Sequence, residues 1–234
     1  MAYADAVLAL SNLEGYWRLE ETQGTTAADS SGKNRPLTYT GNPTLNRPSL
    51  LPGDPDGRSV EFNGSSQYAT RPALPMGSNL TLIAWGKPDT LPSGASAFRT
   101  IAGNAESYVL RIGSRNNVVR WEGFVRIGAT YHTVIGNQAP TAGTTYMVAL
   151  VYTGTQLRLY VNGAQQAAIS ASGTPQTGFG FHIGWEGGGN YWDGHIDEVA
   201  VVSRALTPEE IADLYEIGIT KPVSIVDAAD VTLA

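Results

Sequence analysis

The chain has 234 residues, no cysteine, 27 glycines, 13 prolines, 15% charged residues and a formal net charge of −6. Lack of cysteine excludes disulfides, thiol catalysis and zinc–sulfur sites, and an acidic balance without clustered Lys and Arg opposes nucleic-acid binding, which draws its affinity from phosphate neutralisation. The apolar runs are strand-sized, well short of the roughly 20 residues that cross a bilayer, so membrane insertion is not expected.

The glycine and proline content suits many short strands joined by tight turns, at a length common for one closed β domain. Tyr3, Val7 and Leu10 fall at i, i+4 and i+7, which predicts a short amphipathic helix ahead of the first strand. The opening residues lack a basic region and carry Asp5 among small apolar side chains, so no signal peptide is expected. From Gly15 the pattern changes to period two, with Trp17 and Leu19 on one face and Tyr16, Arg18 and Glu20 on the other, predicting a half-buried strand.

Asn63-Gly64 separates Val60-Glu61-Phe62 from Gln67-Tyr68-Ala69 and predicts a hairpin, because Asn-Gly accepts positive φ. Asn63-Gly64-Ser65 and Asn79-Leu80-Thr81 match glycosylation triplets and are read as turns. A meander is expected through residues 108–112, 118–121 and 125–135. A clearer one follows, where Val148, Leu150 and Tyr152 alternate, Thr153-Gly154 turns, Leu157, Leu159 and Val161 alternate, and Asn162-Gly163 turns again. After a last strand over residues 196–202, Thr207 caps a helix with Pro208 first and Glu210 completing a capping box; Ile211, Leu214 and Tyr215 form its apolar face and Gly218 ends it. The tail, residues 223–234, is β-prone.

Sugar binding asks for aromatic faces to stack on pyranose C–H groups, with amides and carboxylates aimed at hydroxyls. The candidates near loops are Trp121, Tyr131, His132, Trp185, Tyr191 and Trp192, and Gly187-Gly188-Gly189 can bring Trp185 and Tyr191 together; packing of Trp185 and Trp192 at strand ends is the competing account. That glycine run does not match G-x-G-x-x-G and is no phosphate cradle. Adjacent Asp197 and Glu198 point to opposite faces of a regular strand, the wrong arrangement for a glycosidase pair. His132, His182 and His195 sit in no nucleophile motif, so no enzymatic activity is expected.

Several segments carry a family resemblance: Gly15-Tyr16-Trp17-Arg18-Leu19-Glu20-Glu21 followed by Ala28-Asp29-Ser30-Ser31-Gly32, then Ser59-Val60-Glu61-Phe62-Asn63-Gly64, Leu80-Thr81-Leu82-Ile83-Ala84-Trp85, Val148-Ala149-Leu150-Val151-Tyr152 with Leu157-Arg158-Leu159-Tyr160-Val161-Asn162-Gly163, and Trp192-Asp193-Gly194-His195-Ile196-Asp197-Glu198-Val199. Over residues 13–218 the chain resembles the bacterial and phage branch of the laminin-G-like, concanavalin A-like lectin jelly rolls. The resemblance implies an all-β, two-sheet antiparallel jelly-roll sandwich with short terminal helices, in which residues 15–21 lie beside the last strand. A helical extension (residues 1–12) and an extended tail (residues 219–234) would flank it.

It also implies calcium at Asp29 and Asp197, with Asn34 and nearby carbonyls completing the oxygen set that calcium requires; Asp29 capping the Ser30-Ser31-Gly32 turn is the alternative. The first ten residues look like openings of tailed-phage accessory proteins. The expected function is therefore a non-catalytic phage-type virion accessory protein, a tail or capsid decoration, whose outward-facing jelly roll binds glycan or mediates adhesion. Its termini would contact virion structural proteins or sister subunits, and its location would be the virion or an extracellular surface. A stand-alone carbohydrate-binding module of a bacterial surface or secreted protein is the alternative.

Overall fold

The computed structural model describes residues 2–221. In chain order the elements are α1 (Tyr3–Leu8), β1 (Leu13–Trp17), β2 (Thr26–Ala27), β3 (Leu37–Thr40), β4 (Thr44–Pro48), β5 (Arg58–Asn63), β6 (Tyr68–Arg71), β7 (Leu80–Pro88), β8 (Ser96–Asn104), β9 (Tyr108–Arg115), β10 (Val118–Ile127), β11 (Thr130–Ile135), β12 (Tyr146–Tyr152), β13 (Gln156–Val161), β14 (Ala164–Ser170), β15 (Phe181–Ile183), β16 (Asp193–Val202) and α2 (Pro208–Ile219). The strands form two antiparallel sheets, a jelly-roll sandwich. The first runs β14-β13-β12-β7-β16-β5-β4 with β1 also on β16, and the second runs β11-β10-β9-β8-β15-β6-β3-β2. No helix among the described residues is long and apolar enough to cross a membrane.

Alternation along the strands builds the core between the sheets. Val148, Leu150 and Tyr152 of β12, Leu82 and Ala84 of β7, and Leu110 and Ile112 of β9 all face inward, around Trp17, Trp121 and Trp192. Trp121 stacks on Trp192 at 6.2 Å and Trp17 on Phe181 at 5.1 Å. Burial of side chains this large contributes about 2–3 kcal/mol each, before the entropy of ordering them.

The intervening residues of the first sheet, Ile83, Trp85, Met147, Ala149 and Val151, are buried too, beneath α1, α2 and the Leu50-Leu51 segment. This sheet is therefore covered on both faces, which is why β7 and β12 read as nearly unbroken apolar runs. The same cover corrects the expectation for the first strand. Tyr16 and Trp17 are both fully buried, on opposite faces, and Leu19 leaves the strand at φ +59°. The amino-terminal helix docks within the chain through Tyr3 and Val7.

The capping box forms as expected: Glu210 N–H donates to Thr207 Oγ1 at 3.2 Å and Thr207 N–H to Glu210 Oε2 at 2.8 Å. Gly218, however, does not end the helix. It lies within α2 because a Cβ there would stand 2.3 Å from the Trp85 ring, which is itself wedged between Tyr3 and Tyr215. Both meanders form, β10 running unbroken to Ile127. The Asn63-Gly64 hairpin does not. The turn is there, with Gly64 at φ +71° and Asn63 Oδ1 accepting from Ser65 and Ser66 N–H, but it carries the chain from β5 in the first sheet to β6 in the second. The β-prone tail, residues 223–234, lies outside the described residues.

Strand β16 pairs with β5 over residues 193–196 and with β1 over residues 199–202. Between these stretches its register against β7 shifts, and Glu198 takes φ +51°. This bulge overturns the expected opposition of Asp197 and Glu198, since both carboxylates now lie on the covered outer side of the sheet. Glu198 accepts from the Tyr16 hydroxyl and from Arg18 Nε at 3.1 Å, while Asp197 Oδ2 accepts from Leu50 N–H at 2.9 Å. Arg18 also holds Glu20 and Asp54, filling the middle of that acidic group with its own charge.

Two stability predictions follow from this packing. Gly218→Val should lower unfolding stability by about 2–3 kcal/mol, because the pinned Trp85 ring cannot yield; denaturant titration measures it. Burial pushes the Glu198 carboxyl up to about 7 and raises Asp197 well above the usual carboxylate range. An acid whose folded pKa is raised contributes stability that is complete below its unfolded value and fades as pH climbs through the folded value. The unfolding free energy should therefore fall between pH 5 and pH 8, by about 3 kcal/mol at most for Glu198, with the thermal midpoint falling alongside it, and Glu198→Gln or Asp197→Asn should each flatten that slope.

Candidate functional site

Among the described residues no helix covers the outer face of the second sheet, and its side chains come from the positions that alternate with the core. Along β9 these are Arg111 and Arg115, and along β10 Glu122, Phe124 and Arg126. Asn116 and Asn117, at φ +50° and +64°, form the two-residue turn that sets Arg111 directly opposite Glu122. Gly113 leaves the Glu122 carboxylate its space, since a Cβ there would meet it at 2.5 Å.

Arg111 is the centre of this face. Its Nε and Nη2 donate to Glu122 Oε1 at 2.8 and 2.7 Å, its Nη1 donates to Glu186, and its guanidinium lies 3.7 Å over the Phe98 ring. Arg115 takes the other Glu122 oxygen at 2.7 Å. Glu122 and Glu186 are 1% and 5% exposed. Burial raises the Glu186 carboxyl while Arg111 opposes the shift, and Glu186 Oε2 is buried with no hydrogen-bond partner. Removing a buried ion's partner costs about 3–5 kcal/mol.

Glu186 belongs to the β15–β16 loop, which closes on itself. Trp192 N–H donates to Gly184 O at 2.9 Å, Trp185 Nε1 to Gly188 O at 3.2 Å, and Asn190 Nδ2 to Glu186 Oε1 at 2.9 Å. Gly187 at φ +121° permits the reversal. The closure sets Trp185 and Tyr191 nearly parallel at 5.9 Å, with Tyr68 against Trp185 at 4.8 Å and His182 edge-on at 4.9 Å; all four are half-buried.

Two hollows meet at Glu186. One, of about 440 Å³, is lined by Trp185, His182, Asn104, Glu106 and Asn190. The other, of about 360 Å³, is lined by Phe98, Arg111, Arg115, Phe124, Tyr131 and Thr133. Together they offer aromatic surface, amides, carboxylates and guanidinium groups within one open depression, the mixture that a polyhydroxylated ligand requires. A larger hollow of about 640 Å³ among Pro48, Leu51, Pro52 and Pro55 opens toward Lys221, near the end of the described residues, and has no aromatic lining.

Of the six residues expected to meet sugar, Tyr131, Trp185 and Tyr191 lie on this outer face. Trp121 and Trp192 do not: both are 0% exposed inside the sandwich. Trp121 alternates with Glu122, so the strand period that turns the carboxylate outward turns the indole inward. His132 pairs with buried Val125 on the inner side of β10 and β11. Phe98, Tyr68, Arg111, Glu122 and Glu186 were missed. The Arg111–Glu122 pair could have been found by counting back from the Asn116-Asn117 turn.

The calcium set does not fit either. The two Asp29 oxygens accept backbone N–H groups from Tyr16, Ser31 and Arg35 at 3.1, 2.9 and 2.8 Å, so positive dipole ends already surround the carboxylate. Asn34, at φ +56°, shapes the same turn. Asp197 is committed to Ser49 and Leu50. Asp29 is a turn cap, and neither aspartate belongs to a described cluster of metal-ligating side chains.

Residues 63–212, more than half of the chain, match Laminin_G_3, described as the concanavalin A-like lectin/glucanases superfamily. The chain belongs to this family. No curated protein matches it in sequence. Among solved structures it is similar to domain 4 of AbnA, a GH43 extracellular arabinanase from Geobacillus stearothermophilus, in complex with arabinotriose, with 16% identity and a TM-score of 0.67 over 87% of this chain and 98% of that one. It is also similar to the binding domain of Paraclostridial Mosquitocidal Protein 1 and to the botulinum neurotoxin serotype D ligand binding domain in complex with N-acetylneuraminic acid. Each shows 14% identity and a TM-score of 0.66 over 92% of this chain and 52% of that one. The laminin-G chain thus spans about half the length of these toxin domains, and at such identities the likeness shows the fold alone.

Arg111→Ala should destabilise the protein by about 3–5 kcal/mol, leaving two buried carboxylates without their shared cation. Adding Glu186→Gln should recover part of that loss, with both variants measured by denaturant unfolding.

Proposed function

We propose that this protein is a non-catalytic glycan-recognition module that binds saccharide on the open face of its second sheet. The half-buried Trp185, held between Tyr68 and Tyr191 at the rim of a hollow that also presents Asn104, Glu106 and Asn190, carries the reading. Pyranose and furanose rings offer C–H groups to such an indole and hydroxyls to such amides and carboxylates. Saccharides bound to the arabinanase domain and to the serotype D toxin domain support the same use of this fold.

A binding rather than hydrolytic role is supported by what holds the carboxylates. Glu122 has both oxygens engaged by guanidinium groups, and Asp197 and Glu198 are 1% and 2% exposed beneath the Leu50-Leu51 segment, away from any substrate path. A glycosidase needs an acid and a nucleophile or base flanking one accessible bond.

The setting we propose is a phage-type virion or another extracellular surface, a reading supported by the likeness of residues 1–10 to phage accessory proteins. The near-complete overlap with an arabinanase domain favours a second reading, a carbohydrate-binding module of a bacterial secreted protein.

Glycan-array screening followed by calorimetry tests the proposal. Saccharide binding should quench or shift tryptophan fluorescence, and Trp185→Ala should weaken binding about tenfold or more while the protein still unfolds cooperatively above the assay temperature. Lack of binding to every saccharide at millimolar concentration, or binding indifferent to Trp185→Ala, overturns it.

A further inference from the structure

Away from the aromatic face, on the outer side of the first sheet, a different set of side chains converges. Glu61 of β5 stands directly opposite His195 of β16, which on its other edge is opposite Lys87 of β7. Asp89 follows β7, its N–H donating to Asp193 O at 2.9 Å. A ring nitrogen of His195 and one carboxylate oxygen each of Glu61 and Asp89 all lie within 4.8 Å of one another.

The state of His195 separates this group from an ordinary surface charge network. Its residue is 8% exposed, and its Nδ1 is buried with no hydrogen-bond partner. Buried polar atoms are nearly always paired, because an orphan forfeits its hydration without return. In a simple ion-pair network the imidazole would donate to one of the two carboxylates beside it, yet no such bond forms among the described residues. The Asp89 side chain is exposed and makes no described hydrogen bond, while Glu61 gives one oxygen to Arg47 at 3.0 Å and keeps the other.

We propose that Glu61, Asp89 and His195 form a binding site for a divalent transition metal of the zinc class, with the remaining coordination position open to solvent. One imidazole and two carboxylates suit zinc, whose ligands stand at about 2.0–2.2 Å in a tetrahedron. Ligand atoms in such a site are roughly 3.3–3.5 Å apart, so small side-chain rotations of Glu61 and Asp89 close it. Calcium is disfavoured because it selects oxygen ligands alone. Arg47 serves as the counter-ion of Glu61 when no metal is bound, and its displacement together with the nearby Lys87 charge lowers the affinity for metal. Bound metal ties the end of β7 to β5 and β16.

The test uses the tag-free full chain after chelator treatment. Calorimetry should find one zinc ion per chain, no calcium binding at millimolar concentration, and a thermal midpoint that climbs with excess zinc by mass action. Cobalt should bind at the same site and give visible absorption. Asp89→Asn, at an exposed position, should weaken zinc about tenfold or more while keeping the metal-free midpoint, and His195→Gln should do the same to affinity. Should His195→Gln fail to fold, Glu61→Gln replaces it. Absent zinc binding at about 100 µM, affinity unchanged in the variants, with zinc then held by His132 or His182, or calcium binding as tightly as zinc overturns the proposal.

Discussion

Strand β16 changes partners halfway along one edge, and much of the architecture answers to that exchange. Residues 193–196 bond to β5 and residues 199–202 to β1, while β7 runs along the other edge throughout. Two strands cannot occupy one edge of a third at the same height, so the backbone between them must bulge, and a bulge turns consecutive side chains away from strict alternation. Two acidic side chains consequently enter an apolar layer. Their needs recruit Tyr16 of the amino-terminal strand, Arg18 just after it and the N–H of Leu50 from the segment after β4, which pins three distant stretches of chain to one point.

The two sheets use charge in different ways. On the covered face, burial without full pairing leaves carboxyl groups inclined to hold protons. On the open face Arg111 is shared between Glu122 and Glu186 and is stacked on Phe98, so the loop bearing Glu186 is anchored to the sheet by an ion as well as by the packing of Trp185 on Tyr68. A buried ion triad is a poor source of net stability but a stringent one of geometry, because each misplacement strands a charge. That suits a place where aromatic rings must be presented at a set height above a sheet.

Features that depend on neighbours in sequence were legible from the chain. The Thr207–Glu210 capping box, the two meanders and the period of β12 and β13 all arise from contacts within a few residues, and the closing pair β1–β16 was reached through family resemblance. Features set by distant chain were not. Asn63-Gly64 satisfies every local requirement of a hairpin, but β5 and β6 have their partners elsewhere, and only the sheet order reveals it. Gly218 has the composition of a helix stop and the job of clearing Trp85. For the candidate site, aromatic type alone did not tell an inward Trp121 from an outward Tyr131, whereas register would have; Glu186 comes from an irregular loop, where no period applies.

The glycine run at residues 187–189 has a further meaning. A Cβ at any of the three meets nothing within 4 Å, and the bond from Trp192 N–H to Gly184 O seals the base of the loop. Gly187 and Gly188, at φ +121° and +56°, hold conformations that favour glycine, whereas a side chain at Gly189 would stand in open space above the sealed base, so this scaffold can be re-lettered for new ligands at that one tip position while its interior stays as it is.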